Sequence, residues 1–145
     1  MAFQNPTPAE IQAFLARIHT IAVLGLSPNP TRPSHGVARS LQRSGYRIVP
    51  VRPAVREVLG EPAVASLQEL NTPVDLVDVF RAPEHVPAIV DACIDLKIPA
   101  IWLQDGVIHD EAAQRAQDAG LFVVMDRCIY RDYMRWADEI AALRT

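Results

Sequence analysis

The chain has 145 residues, a length that fits one domain with its own core, and half of its residues are hydrophobic, as in an ordinary globular protein. The formal net charge is −3, so the composition implies no strongly basic face and nucleic acid is not an expected partner. The two cysteines lie far apart and the four histidines are scattered, which excludes a disulfide framework and a metal site of recognisable spacing.

The first predicted element is a helix with its own start signal. The segment Thr7-Pro8-Ala9-Glu10 has the pattern of a capping box, with proline at the first helical position. Ile11, Phe14, Leu15 and Ile18 then fall at helical spacing and form one apolar stripe. We expect this helix to pack its stripe against the rest of the domain.

After this helix, short apolar runs alternate without exception with helical patterns. Strands are predicted at residues 20–25, 46–51, 74–79, 100–103 and 121–125. Helices are predicted at about residues 34–44, 66–70, 86–94, 110–119 and 131–143. Such alternation is typical of parallel strands joined by right-handed crossovers. The sequence therefore predicts an α/β fold with a Rossmann-like, doubly wound, five-stranded parallel sheet and helices on both faces. We expect a single domain over residues 1–145 with its core at about 20–135.

No apolar run reaches the roughly 18 residues of a membrane span. The N-terminus lacks the basic start and the apolar core of a signal peptide. We therefore expect no contact with a membrane and a cytoplasmic location.

The residues that follow each strand are the candidates for binding a ligand, because open parallel sheets bind ligands beyond the carboxyl ends of their strands. These positions are residues 25–27, 52–53, 80–82, 104–106 and 126–128. Arg32, Arg52, Arg81 and Arg127 all belong to this edge. Such a group of arginines suits a ligand that carries several phosphates.

The loop after the first strand is not the glycine fingerprint of an NAD enzyme. Gly25 is followed by Ser27 where the second glycine belongs and by Pro30 in place of the third. Gly25 still permits a tight turn and Ser27 offers a hydroxyl. The helix from Ser34 is expected to present free N–H groups and a positive dipole end to a phosphate.

Arg52 at the end of the second strand helps to distinguish among the nucleotide cofactors. NAD enzymes place an acidic residue there to hold the ribose hydroxyls. An arginine suits a phosphorylated ribose, as in NADP (2′-phosphate) or coenzyme A (3′-phosphate). The sequence therefore favours one of these two over NAD.

Several blocks of this edge resemble a known family. The blocks are Gly25-Leu26-Ser27-Pro28, Arg32-Pro33-Ser34, Val49-Pro50-Val51, residues 74–81, Trp102-Leu103-Gln104 with Gly106-Val107, and Met125-Asp126-Arg127-Cys128. In this order they resemble the small stand-alone coenzyme A (CoA)-binding proteins, which are similar to the CoA-binding half of the succinyl-CoA synthetase alpha subunit. The likeness covers about residues 20–135 and is specific for the family, not for a reaction.

The resemblance implies that CoA or an acyl-CoA is the ligand and assigns roles along the chain. The implied phosphate-binding residues are Gly25, Leu26, Ser27, Pro28, Arg32 and Ser34. Val51 and Arg52 are implied to lie by the adenosine or its 3′-phosphate, with Phe80 and Arg81 walling the nucleotide. The implied pantetheine-side residues are Leu103, Gln104 and Gly106, with Asp126, Arg127 and Cys128 at the far rim.

The resemblance does not carry over ligase activity. The chain ends before a second domain like that of the synthetases, so the phosphohistidine site is not expected, and many relatives have asparagine where Arg52 stands. We expect a CoA-binding protein without intrinsic catalysis, with a sensor or carrier role. The alternatives are an NADP-dependent oxidoreductase and a regulatory protein-interaction module with a vestigial nucleotide pocket.

Several individual residues allow more than one interpretation. Cys128 can form a mixed disulfide with the CoA thiol or be a small residue without a redox role. Asp126 and Arg127 can bind ligand or pair with one another. Asp75 and Asp78 are expected on opposite faces of their strand, which argues against a shared acid–base site. The bulky surface of the last helix either docks on the domain or forms a homodimer contact.

Overall fold

The structure is a computed structural model that describes residues 3–145, so the first two positions of the N-terminal segment lie outside it. The helices are α1 (Pro8–Arg17), α2 (Pro33–Arg43), α3 (Val86–Asp95), α4 (Asp110–Asp118), α5 (Ile129–Arg135) and α6 (Ala137–Leu143). The strands are β1 (Thr20–Leu24), β2 (Arg47–Val51), β3 (Glu57–Val58), β4 (Glu61–Pro62), β5 (Leu76–Val79), β6 (Ala100–Leu103) and β7 (Phe122–Met125). Single 3-10 turns lie at Leu67–Glu69 and Pro83–His85.

Five of the strands form one parallel sheet in the order β2-β1-β5-β6-β7. The prediction of a doubly wound, five-stranded parallel sheet is confirmed. The chain runs from β1 to β2 at one edge and then returns to β5 on the other side of β1. The strand order therefore reverses between β1 and β5, which is where open α/β sheets bind their ligands.

Helices cover both faces of the sheet. On one face, α3 and α4 bury residues such as Val90 and Ala113 against Ile101. On the other face, α1, α2, α5 and α6 enclose Trp102, and Leu15 of α1 is fully buried there. The nearly continuous apolar runs of the strands follow from this burial on two sides.

The connection from β2 to β5 differs from the prediction. The predicted helix at residues 66–70 is one 3-10 turn, and a β3–β4 hairpin precedes it. The hairpin turns through Leu59 and Gly60, both at positive φ. Val64 then pairs in parallel with Val51 and extends the sheet by a single bridge. The strict alternation of strand and helix fails here because turn residues and a proline replace a helical apolar stripe.

The predicted last helix at residues 131–143 is two helices separated at Trp136. Trp136 has φ −115° and ψ 27°, outside the helical region. The first of these two helices, α5, begins earlier than predicted, at Ile129, and buries Ile129 and Asp132. The Asp132 carboxylate accepts two hydrogen bonds from Arg127 at 2.6 and 2.9 Å, which fixes α5 to the end of β7. The predicted docking of this surface on the domain therefore takes place through two short helices.

Within residues 3–145, no helix is both long and apolar enough to cross a lipid bilayer. The same residues contain no cluster of three or more histidine, cysteine, aspartate or glutamate side chains able to hold a metal ion.

The ends of three strands converge on Gly25. Its N–H donates to the Val51 carbonyl at 2.9 Å, and the Phe80 N–H donates to the Leu24 carbonyl at the same distance. Gly25 has φ +87°, and a Cβ added to it would lie 2.4 Å from the Phe80 carbonyl oxygen. The chain can pass this point only with glycine, because a side chain would both clash and be strained.

Gly25→Ala is expected to lower the free energy of unfolding by about 2–5 kcal/mol, from left-handed backbone strain and overpacking together. Gly120→Ala is a matched control, because Gly120 has φ +98° but open space around its Cβ position. Gly36→Ala, inside α2 with open space, should be neutral or slightly stabilising. Chemical denaturation of the three variants measures this. Equal losses for Gly25→Ala and Gly120→Ala would show that the contact with Phe80 is not tight.

Candidate functional site

Two clefts lie at the carboxyl ends of the strands, on either side of Gly25. The β2-side cleft has a volume of about 750 Å³ and is formed by the end of β2, residues 65–68, the end of β5 and the start of α3. The loop-side cleft has a volume of about 900 Å³ and is formed by the loop after β1, the start of α2, and residues that follow β6 and β7. Together they occupy the edge at which the sequence places its candidate ligand-binding residues.

The clefts meet at a shared wall, which consists of Gly25, Arg52, Phe80, Arg81 and Ala82. Arg52 Nη1 donates a long hydrogen bond of 3.3 Å to the Gly25 carbonyl. Within residues 3–145, the ion pairs with carboxylates involve Arg115, Arg127 and Arg131, and not Arg52 or Arg81. The wall therefore carries two guanidinium groups whose donors are largely unused, as anion binding requires.

Hydroxyl groups organise the loop after β1. The Ser27 N–H donates to Ser34 Oγ at 3.0 Å, and the Asn29 N–H donates to Ser27 Oγ at 3.1 Å. Both oxygens act as acceptors in these bonds, so each hydroxyl keeps its proton for donation to a ligand. Arg32 immediately precedes α2, is exposed, and forms no ion pair among the described residues.

The start of α2 offers fewer free N–H groups than the sequence predicts. Pro33 has none, and the N–H groups of His35 and Gly36 donate to the Arg32 carbonyl at 3.1 and 3.3 Å. In this first turn the Ser34 N–H is left for a ligand. Side chains of the loop, more than the helix backbone, therefore supply the donors of the loop-side cleft.

A buried carboxyl lies below the loop-side cleft. Asp78 in β5 is fully buried, and its Oδ1 accepts a hydrogen bond from Nε2 of Gln104, a residue that lines the cleft. Asp78 Oδ2 is buried without a hydrogen-bond partner. Burial raises the pKa of Asp78 to about 7, and the Gln104 hydrogen bond opposes this rise. Asp75 lies just before the strand, where its Oδ2 accepts the N–H groups of His19 and Thr20.

The far rim is held by internal contacts. The Asp126 carboxylate accepts the Gly106 N–H at 2.7 Å. Arg127 pairs with buried Asp132 and lies over the Trp136 ring at 5.7 Å. Asp126 and Arg127 thus bind other groups of the protein and not each other, and neither lines a cleft. The fourth arginine of the predicted cluster is therefore separated from the other three.

The remaining predicted site residues divide into two groups. Those that line one or both clefts are Gly25, Ser27, Pro28, Arg32, Ser34, Val51, Arg52, Phe80, Arg81, Gln104 and Cys128. Leu26 and Leu103 are fully buried in the two hydrophobic cores, and Gly106 lies in the exposed turn after β6. These three can shape the backbone of the site but do not face the clefts.

Sequence reasoning missed one wall of the β2-side cleft. Ser66, Gln68 and His85 line it, together with Ala88 and Ala92 of α3. Residues 65–68 reach the cleft because Val64 bridges to Val51, a contact without a sequence motif. Ala88 and Ala92 are four residues apart and so lie on one face of α3. This pair of small residues could have indicated from the sequence that the helix face borders a cleft.

The two cysteines have different surroundings. Cys93 is buried in the core, and burial raises the pKa of its thiol to about 12. Cys128 is half-buried, immediately precedes α5 and lines the loop-side cleft. The mixed disulfide between Cys128 and CoA stays a prediction.

Asp78→Asn is expected to stabilise the protein increasingly as the pH rises. The folded-state pKa of Asp78 is raised, so the wild type loses stability as the pH rises from about 4 through about 7, whereas an amide does not titrate. Between pH 5 and pH 8.5 the variant should gain on the order of 2–3 kcal/mol relative to the wild type. Thermal or chemical unfolding at both pH values measures the change.

Asp95→Asn at an exposed position of α3 is the control for removing one charge. If Asp78→Asn and Asp95→Asn show the same pH dependence, the carboxyl of Asp78 is not as desolvated as its position implies.

Comparison with known proteins identifies the family of the chain. The family model described as a CoA binding domain matches residues 19–134. The chain is similar to an uncharacterized protein of Bacillus subtilis (strain 168), YneT, with 44% identity over 126 residues, which are 87% of this chain and 93% of that protein.

Solved structures share the fold over nearly their whole length. A Thermus thermophilus protein called cell-free ID.343 is 41% identical, with a TM-score of 0.85 over 90% of this chain and 98% of that one. A hypothetical protein from Pyrococcus horikoshii OT3 is 32% identical, with a TM-score of 0.85 over 93% of this chain and 98% of that one. These structures share the fold, and the family model matches more than half of the chain: the chain belongs to the CoA-binding domain family.

Proposed function

We propose that the protein binds CoA or an acyl-CoA across both clefts and carries out no chemistry on it. The observation that carries the proposal is the shared wall, where two clefts meet at Gly25. The guanidinium groups of Arg52 and Arg81 in this wall form no ion pair within residues 3–145. CoA joins a phosphorylated adenosine to a long neutral arm through a diphosphate. Two clefts that meet at a cationic wall match this sequence of groups.

The donors of the site fit the ligand part by part. We assign the diphosphate to Arg81, Arg32 and the serine hydroxyls of the loop, because these groups have donors to spare on both sides of Gly25. We assign the adenosine half to the β2-side cleft, where the apolar surfaces of Ile89 and Phe80 can pack against a base.

Arg52 is assigned to the 3′-phosphate. It follows β2 in the shared wall, where it also lines the β2-side cleft. Its 3.3 Å hydrogen bond to the Gly25 carbonyl is weak enough to be replaced by a stronger one to a phosphate. This assignment separates CoA from dephospho-CoA and from NAD, which lack that phosphate.

The arm is assigned to the loop-side cleft. Its lining beyond the shared wall includes Val37, Val107 and Gln104, apolar and neutral polar groups that suit amides and methylenes. Asp105 also lines this cleft, and its carboxylate is paired with Arg131. Binding without turnover is the property of a sensor or a carrier, and we propose this class of role.

Calorimetry with CoA and dephospho-CoA tests the proposal. We expect CoA to bind about 10- to 100-fold more tightly than dephospho-CoA, since one charge-assisted contact to a phosphate separates the two ligands. Arg52→Gln should reduce this ratio to near one. Arg47→Gln is the matched control, because Arg47 is exposed and lies at the amino end of the same strand, whereas the clefts lie at the carboxyl ends.

Three outcomes would contradict parts of the proposal. If the wild type does not bind CoA, the proposed function is wrong. If CoA and dephospho-CoA bind with equal affinity, Arg52 does not hold the 3′-phosphate. If NADP binds more tightly than CoA, the oxidoreductase alternative takes its place.

A further inference from the structure

Gln104 connects the loop-side cleft to the buried carboxyl of Asp78. Asp78 pairs in register with Trp102 across β5 and β6, and Gln104 lies two residues beyond Trp102. Side chains two residues apart on neighbouring strands share a face, so the two side chains meet on the same side of the sheet. Gln104 is only 4% exposed, and its side chain spans the distance between the buried carboxyl and the cleft.

The hydrogen bond between them fixes which end of the Gln104 amide faces the ligand. Nε2 donates to Asp78 Oδ1, so the amide nitrogen points away from the cleft. Oε1 accepts no hydrogen bond within residues 3–145, yet it is not among the buried atoms without a partner. Oε1 therefore keeps access to the cleft, and Gln104 offers a ligand an acceptor.

The backbone of Gln104 is also fixed. Its N–H donates to the Val79 carbonyl at 3.4 Å, and its carbonyl accepts the Val107 N–H at 2.9 Å. An ionised carboxylate can only accept hydrogen bonds, so Asp78 holds the amide in this single orientation once it is ionised, above its raised pKa of about 7. A carboxyl with one unpaired oxygen at a fully buried position is costly, and an apolar residue there would be more stable.

We infer that Asp78 is a positioning residue that makes Gln104 present its carbonyl oxygen to the loop-side cleft, which thereby selects a ligand segment that carries an N–H or O–H donor. The inference rests on the proposed binding of CoA. The arm of CoA carries amide N–H groups and a hydroxyl, whereas its phosphates are acceptors. The pair thus favours the arm over a phosphate in this cleft.

Three variants form a cycle that tests the coupling. Asp78→Val removes the acceptor, Gln104→Met removes the amide, and the third variant combines both. Each is expected to weaken CoA binding about three- to tenfold, as the loss of one neutral hydrogen bond predicts. Because the two residues act as a unit, the double variant should be no weaker than either single one.

The nucleotide half of the ligand supplies the internal control. Adenosine 3′,5′-bisphosphate has no arm, so it should bind all three variants as it binds the wild type. This readout also shows that each variant is folded. A merely structural role for Asp78 would weaken both ligands together.

A rebuilt pair keeps the inference testable if Asp78→Val does not fold. In the variant D78N/Q104E, the new amide at position 78 can donate to the new carboxylate at position 104, which again shows an oxygen to the cleft. We expect CoA affinity within about twofold of the wild type for D78N/Q104E. For Q104E alone, two carboxyl groups meet in a buried site, and we expect weaker binding and lower stability.

The outcomes separate the inference from the proposed function. If the wild type binds CoA and Asp78→Val binds it equally well, the positioning role is overturned while the proposed function stands. Additive losses in the cycle, or no difference between Q104E and D78N/Q104E, would also overturn it. If the wild type does not bind CoA, both fall together.

Discussion

The close approach of Gly25 to the Phe80 carbonyl is the constraint on which the rest of the structure depends. It brings the ends of β1, β2 and β5 to one point, at the place where the strand order reverses. Both clefts use this point as their common wall. The point at which the strand order reverses is therefore also the point at which the two clefts meet.

Charge is distributed around this centre in two different ways. Arg127 and Arg131 at the far rim are paired with Asp132 and Asp105, and the Arg131 hydrogen bonds hold the pKa of Asp105 below its usual value. The arginines at the clefts have no such carboxylates among the described residues. A chain with a net negative charge thus keeps three arginines at the clefts without carboxylate partners among the described residues, because the nearby carboxylates Asp105 and Asp132 pair with Arg131 and Arg127.

Much of the fold could be predicted from the sequence, because buried strands and capped helices leave local patterns. The capping box of α1 and the apolar run of β6 are examples, and both are found where predicted. The missed features depend on contacts between distant segments. Residues 65–68 reach the β2-side cleft because Val64 bridges to Val51, and Arg127 fixes α5 to the end of β7 through Asp132.

The candidate site was predictable to the same extent. The predicted strand ends identified most of the residues that line the clefts. The sequence does not show which of these side chains already bind another group of the protein. Arg127 fits the pattern of a ligand-binding arginine as well as Arg81 does, and only the position of Asp132 separates them. The importance of Asp78 likewise depends on Gln104, which lies 26 positions away in the chain.

The most direct test is a crystal structure of the protein with bound CoA. We expect the adenosine half in the β2-side cleft, the arm in the loop-side cleft beside Gln104, and the diphosphate passing the shared wall at Gly25. CoA confined to one cleft, bound elsewhere on the surface, or absent at saturating concentration would contradict the proposal.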